Sequence, residues 1–63
     1  MTERDNLSER LMTVKDVATA MNASTKTVRR RIEAGDLPVV RDGRLIRIRP
    51  MDFRRYLASK IWL

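Results

Sequence analysis

The sequence predicts a small α+β fold, mostly helical: a helix, a short turn, a second helix, a two-stranded antiparallel hairpin and a C-terminal helix. Three observations predict it. Two stretches of helical apolar spacing, the first ending at Met21 and the second capped by Ser24, are separated only by Asn22-Ala23-Ser24. The period then changes to alternation about Asp42-Gly43, the strongest short-range hairpin signal. Pro50 then suits the first turn of a last helix.

Sixty-three residues make one domain, and a chain this short buries only about 60% of its unfolded surface. It contains no cysteine and no histidine, so disulfides and the usual zinc sites are excluded and apolar packing must hold it together. There is no Gly-rich phosphate loop and no convergent acid cluster. The expectation is therefore no catalytic residue, no metal, no cofactor and no enzyme activity. No stretch is long or apolar enough to span a membrane, and "MTERDNLSER" is no signal peptide. Residues 1 to 11 are expected to form a disordered leader, and residues 12–63 the domain.

"LMT" introduces the first helix, "VKDVATAMN". Thr13 is a good N-cap and Asp16 places a negative charge in the first turn. Val14, Val17, Ala18 and Met21 form one apolar stripe, so the helix runs from Val14 to Met21. Asn22 can close it in the left-handed conformation. Ser24 then caps "TKTVRRRIEA", and Gly35 stops that helix. Two short helices on so short a turn form a helix-turn-helix unit. Spacing alone fits an ordinary helical hairpin equally well.

Charge decides between the two. Fourteen Lys and Arg face eight acids, a net charge of +6, and eleven of the fourteen cations are arginine. Arginine offers a rigid fork of donors matched to phosphate and to the guanine edge. Residues 26 to 31 sum to +4, as do residues 41 to 55, whereas residues 1 to 10 sum to −1. Large single-sign fields are a poor way to gain solubility, so nucleic acid is the expected partner. On the second helix Val28 and Ile32 point to the core. Lys26, Thr27, Arg30 and Glu33 point away, and Arg29 and Arg31 flank the apolar edge. Lys26 and Arg30 set two like charges one turn apart, which costs a few tenths of a kcal/mol. Such a stripe suits a helix lying in a major groove, its first residues at base edges and its flanks at phosphates.

"DLPVV" and "LIRIR" are the expected strands, with Pro38 at a strand start or edge. Ile46, Ile48 and Val39 face the core, Leu45, Arg47 and Arg49 face out, and the direction of Val40 stays open. An Asp42-Gly43 turn would set Arg41 opposite Arg44, a like-charge pair that destabilises a ladder. That repulsion has no structural use; it reads as a cost accepted for contact with DNA at a hairpin tip. Arg47 and Arg49 either line the DNA backbone or solvate the sheet. In the last helix, Phe53, Tyr56, Leu57 and either the Lys60 stem or Ile61 form the buried stripe, with Arg54 and Arg55 outside. The apolar end Ile61-Trp62-Leu63 either caps the core or contacts another molecule.

Residues 13 to 57 resemble the winged helix-turn-helix domain of phage and plasmid excisionases, related to MerR-type DNA-binding domains. The resemblance rests on Thr13 with "DVA", "S-x-x-T-V" from Ser24 to Val28, and "I-x-x-G-x-L-P" from Ile32 to Pro38. Gly43-Arg44, Arg47-Ile48 and Asp52-Phe53 complete it. It implies a recognition helix with Lys26, Thr27 and Arg30, and a wing tip, Arg41 to Arg44, in the neighbouring minor groove; Ser24, Arg29, Arg31 and Arg47 complete the expected DNA-binding set from the residue reading. It also implies an excisionase, or recombination directionality factor: a non-enzymatic protein that binds double-stranded DNA, bends it, and biases an integrase towards excision in the bacterial cytoplasm. Head-to-tail self-association on adjacent sites would bend DNA cumulatively. A stand-alone MerR-like transcriptional regulator is the alternative, though the chain shows no heptad dimerisation helix. A protein- or RNA-binding adaptor would expose stacking aromatics on the basic face, yet Phe53 and Tyr56 are needed in the core.

Overall fold

In a computed structural model, which describes residues 10–61, Thr13 opens the first helix, α1 (Val14–Met21), through a complete capping box. The Asp16 N–H donates to Thr13 Oγ1 and the Thr13 N–H donates to the Asp16 carboxylate, both at 2.9 Å. The Thr13 N–H first, and then the Thr13 hydroxyl, hold the Asp16 carboxyl below the usual aspartate range, with Arg47 and Arg10 adding to the effect. Asn22 closes the helix at φ 56° and ψ 44°. The bonds Asn22 N–H to Thr19 O and Ala23 N–H to Ala18 O make the paired closure of a Schellman motif. That closure turns the chain at once into Ser24, the N-cap of α2 (Thr25–Glu33).

The second helix ends one residue short of the expected Ala34, which becomes its C-cap; Gly35 follows at φ +83°. The Gly35 N–H donates to Ile32 O and the Asp36 N–H to Arg31 O, a second Schellman closure. It delivers Leu37 into the core, where it is 1% exposed.

Here the structure corrects the expected strands. "DLPVV" is not a strand: Leu37 and Pro38 lie outside the sheet, and β1 is Val40–Asp42, paired antiparallel with β2, Leu45–Arg47. The register is Val40 with Arg47, Arg41 with Ile46 and Asp42 with Leu45. The two-residue loop is therefore Gly43-Arg44, not Asp42-Gly43, and the expected opposition of Arg41 and Arg44 does not exist. Gly43 has φ +62° and Arg44 has no positive φ, the pattern of a type II′ turn. This turn places its single left-handed residue on glycine, whereas a type I′ Asp-Gly loop would also force Asp42 to positive φ. Val40 takes the outer face with Leu45 and Arg47, opposite Ile46.

The sheet gains a contact from upstream. Met12 and Ile48 exchange both backbone hydrogen bonds, at 2.7 and 2.8 Å. Met12, the first residue after the expected leader, is thus tied to the wing. Of the expected leader, residues 1 to 9 lie outside the described residues.

The last helix, α3 (Pro50–Ser59), starts with proline at its first turn. Arg49 reaches forward to Asp52, with Nε–Oδ2 2.7 Å and a second bond at 3.2 Å. This two-point pair satisfies a carboxylate that is only 5% exposed. It keeps the Asp52 carboxyl below its usual range, and it takes Arg49 away from the outer wing. Phe53 and Tyr56 are buried as expected, but Leu57 is 40% exposed. Successive helical residues turn by about 100°, and with Asp52, Phe53 and Tyr56 inward, Leu57 falls off the buried arc. Ile61 is 64% exposed and does not cap the core; Trp62 and Leu63 lie outside the described residues. Lys60 is exposed, its ammonium 5.4 Å from the centre of the Tyr56 ring.

The core gathers one side of every helix: Val17 and Ala18 from α1, Val28 and Ile32 from α2, Phe53 and Tyr56 from α3. Leu37 and Ile48, from the segments flanking the wing, fill the space between them. With this face of α2 buried, its opposite face is left to solvent beside the wing.

Candidate nucleic-acid interface

On α2 the buried pair Val28 and Ile32 turns Lys26, Arg30 and Glu33 outward, and all three are exposed. Thr27 is half-buried. Its N–H donates to Ser24 Oγ at 3.1 Å, and the two hydroxyls share a further bond of 3.0 Å. Ser24 and Thr27 therefore spend most of their capacity on the cap. One hydroxyl proton of the two remains unpartnered among the described residues, at the end of the helix that suits an anion.

Arg29 and Arg31 separate. They stand about 160° apart around the helix, two residues at 100° each being 200°. Arg29 faces the wing, and two concavities meet at it and at Ile46. The larger, about 280 Å³, lies between the start of α1 and the wing, with Thr13, Val14, Lys15, Arg29, Arg44, Ile46 and Arg47 around it. The smaller, about 110 Å³, is bounded by Arg29, Ile32, Glu33, Arg41 and Ile46. Arg31 lines neither. Of the nine sequence-predicted residues, the fold thus groups Arg29, Arg41, Arg44 and Arg47 beside the wing. Lys26 and Arg30 lie on the adjoining outer stripe, and Ser24 and Thr27 sit at its N-terminal end.

The larger cleft is electrostatically one-sided. Lys15, Arg29, Arg44 and Arg47 line it and no acid does. The Arg49–Asp52 pair is the one ion pair among the described residues, so none of these four cations is held in a salt bridge, and Arg47 alone acts on a nearby carboxyl, that of Asp16. Arg47 is half-buried and oriented by a bond from Nη1 to the carbonyl of Ile46, 2.9 Å. The smaller groove mixes signs: Glu33 sits with Arg29 and Arg41 against isoleucine methyls.

Sequence reasoning missed Lys15 and the first turn of α1. A signal was available: a lysine in the first helical turn opposes the macrodipole, an arrangement worth a few tenths of a kcal/mol against the helix. Among the described residues no three acidic side chains gather as metal ligands would. No helix there is long and apolar enough to cross a membrane.

A DNA-binding helix-turn-helix domain family matches the chain over residues 11–61. No curated protein and no solved structure matches it.

Proposed function

The chain belongs to the helix-turn-helix domain family, and from that premise we propose that it is a sequence-specific, DNA-bending excisionase. It directs an integrase towards excision of a prophage or mobile element and performs no catalysis of its own. The observation that carries the DNA-binding part is the continuity of the outer stripe of α2 with the wing. Lys26 and Arg30 stand on that stripe, and Arg29, Arg41, Arg44 and Arg47 continue it onto the hairpin. In this reading α2 lies in the major groove and the Gly43-Arg44 tip enters the adjacent minor groove, where arginine meets the more negative potential of narrow A·T-rich segments.

The excisionase part rests on the motifs between Thr13 and Leu57, which resemble that branch of winged helix-turn-helix proteins. Several protomers bound head to tail on adjacent sites would bend the duplex cumulatively beside the integrase sites. The setting is the cytoplasm of a bacterial host. Footprinting of the purified protein on DNA flanking its own gene and attachment site tests this. Protected direct repeats next to integrase sites, together with stimulated excision by the purified integrase, are the expected result. One protected promoter operator with no effect on excision would instead identify a MerR-like regulator, and an unprotected footprint with equal affinity for all duplexes would refute sequence-specific binding.

A further inference from the structure

We propose that the first turn of α1 is a third DNA-contacting element, and that the cleft it forms with Arg29 and the wing seats one backbone phosphate of the duplex. The inference rests on the DNA-binding reading and deepens it. It names the ligand group and assigns a residue, Lys15, that belongs to neither the recognition helix nor the wing.

Convergence is the first ground. Lys15 from α1, Arg29 from α2 and Arg44 and Arg47 from the hairpin line one cleft, although the chain between Lys15 and Arg44 runs through every intervening element. Four like charges at one concavity oppose folding unless an anion enters. Asp16, whose carboxylate accepts from the Thr13 N–H at 2.9 Å and feels the charge of Arg47, does not line the cleft and sets one negative charge against four positive.

Donor chemistry is the second ground. The capping box satisfies the Thr13 and Asp16 N–H groups and leaves those of Val14 and Lys15, which have no partner within the helix. With the Lys15 ammonium and three guanidinium groups, the charged and polar lining is nearly all donor. A guanine edge also only accepts but carries no charge, whereas a phosphodiester accepts and is anionic. The cleft therefore matches backbone rather than sequence. Arg47 is already oriented by its bond to the Ile46 carbonyl, so little side-chain freedom is lost there on binding.

Size is the third. A volume of about 280 Å³ admits a phosphate group with several waters, each occupying roughly 30 Å³ of liquid. A free phosphate ion offers the same chemistry as a phosphodiester, so the experiment separates them.

The test is a salt titration of duplex binding by the full chain, wild type against Lys15→Ala and Lys15→Arg, on a specific and a non-specific duplex. Thermal melting verifies that both variants fold. Lys15→Ala should weaken binding to both duplexes alike, leave the base preference unchanged and flatten the slope of log K against log salt by about 0.9. Equivalently, its disadvantage should shrink by about 3.5-fold between 50 and 200 mM salt. Lys15→Arg should retain the wild-type slope. An unchanged slope in Lys15→Ala overturns the proposal, as does a loss confined to the specific duplex, which would make Lys15 a reader of bases. Wild-type protein that binds no duplex refutes the DNA reading itself. If inorganic phosphate at constant ionic strength then stabilises wild type but not Lys15→Ala, the cleft is a free-phosphate site and the duplex assignment fails.

Discussion

Lys26 and Arg30 lie one turn apart on the outer face of α2, and neither has an ionic partner among the described residues. Each could have formed a helix-stabilising pair with an acid four residues away, and the sequence places none there. The two side chains differ in what they can report. Arg30 carries a planar fork matched to guanine O6 and N7; Arg44, at the tip of the wing, would in the proposed reading meet backbone or minor-groove acceptors. Arg30→Ala should therefore cost about 1–3 kcal/mol of specific binding and relax preference at one base pair. Arg44→Ala should weaken all sequences alike and reduce the salt slope by about 1. Competition binding on randomised duplexes, repeated at two salt concentrations, distinguishes the two. Arg49 shows why charge alone misleads at this scale. It shares the alternation of Arg47, yet the buried carboxylate three residues on captures it, a local contact that strand alternation does not show.

The elements were the most legible part of the sequence because their ends are chemically marked. Thr13, Asn22, Ser24 and Gly35 act within a few residues of themselves, through hydrogen bonds or through backbone freedom that their neighbours lack. The bounds of α1 follow directly from Thr13 and Asn22. Gly35 illustrates the cost of losing such a mark. A Cβ there would meet nothing within 4 Å, but the residue sits at φ +83°, so the penalty of substitution is conformational rather than steric. Gly35→Ala should lower stability by about 1–2 kcal/mol, and Gly35→Asn by less, because asparagine tolerates the left-handed region. Thermal melting of the two variants gives the order; equal melting points would show that the closure at α2 is not what holds Leu37 in place. The wing was less legible. Asp-Gly and Gly-Arg loops differ by one residue, and the periodicity of "VVRDGRLIRIRP" is compatible with both. Choosing between them requires knowing which strand residues meet the core.

Over the whole molecule, a few side chains carry the packing. A domain of this length is stabilised by roughly 3–9 kcal/mol at 0.05–0.15 kcal/mol per residue. Leu37, fully buried between the helices and the wing, should cost about 2–5 kcal/mol when cut to alanine. Leu37→Ala should therefore lower the melting temperature by more than 8 °C, at about 4–8 °C per kcal/mol for a small domain. It should abolish DNA binding only where it unfolds the protein. Circular dichroism and binding measured over one temperature series check this: binding lost while the fold persists would mean that Leu37 orients the interface as well as filling the core. The same compactness explains Leu57 and Ile61. Three helices and a hairpin present only so much inward surface, and Phe53 and Tyr56 already occupy what faces α3.

Most local features are written in the chain: the helix starts, the closure of α1, the basic outer stripe of α2, the presence of a hairpin, and a charge balance that points to nucleic acid. Caps and apolar periods act over a few residues, so they survive without knowledge of the fold. Tertiary structure decided the rest. The strand register, the burial of Leu37 and the bond between Met12 and Ile48 all depend on residues distant in sequence meeting around one core. So does the partition of the arginines. Arg29 faces the wing and Arg31 does not, and Lys15 joins a cleft whose other walls lie fourteen or more residues downstream. Charge at a given position is written in the chain. Whether that charge is neutralised, or left facing a ligand, is settled only when the elements pack.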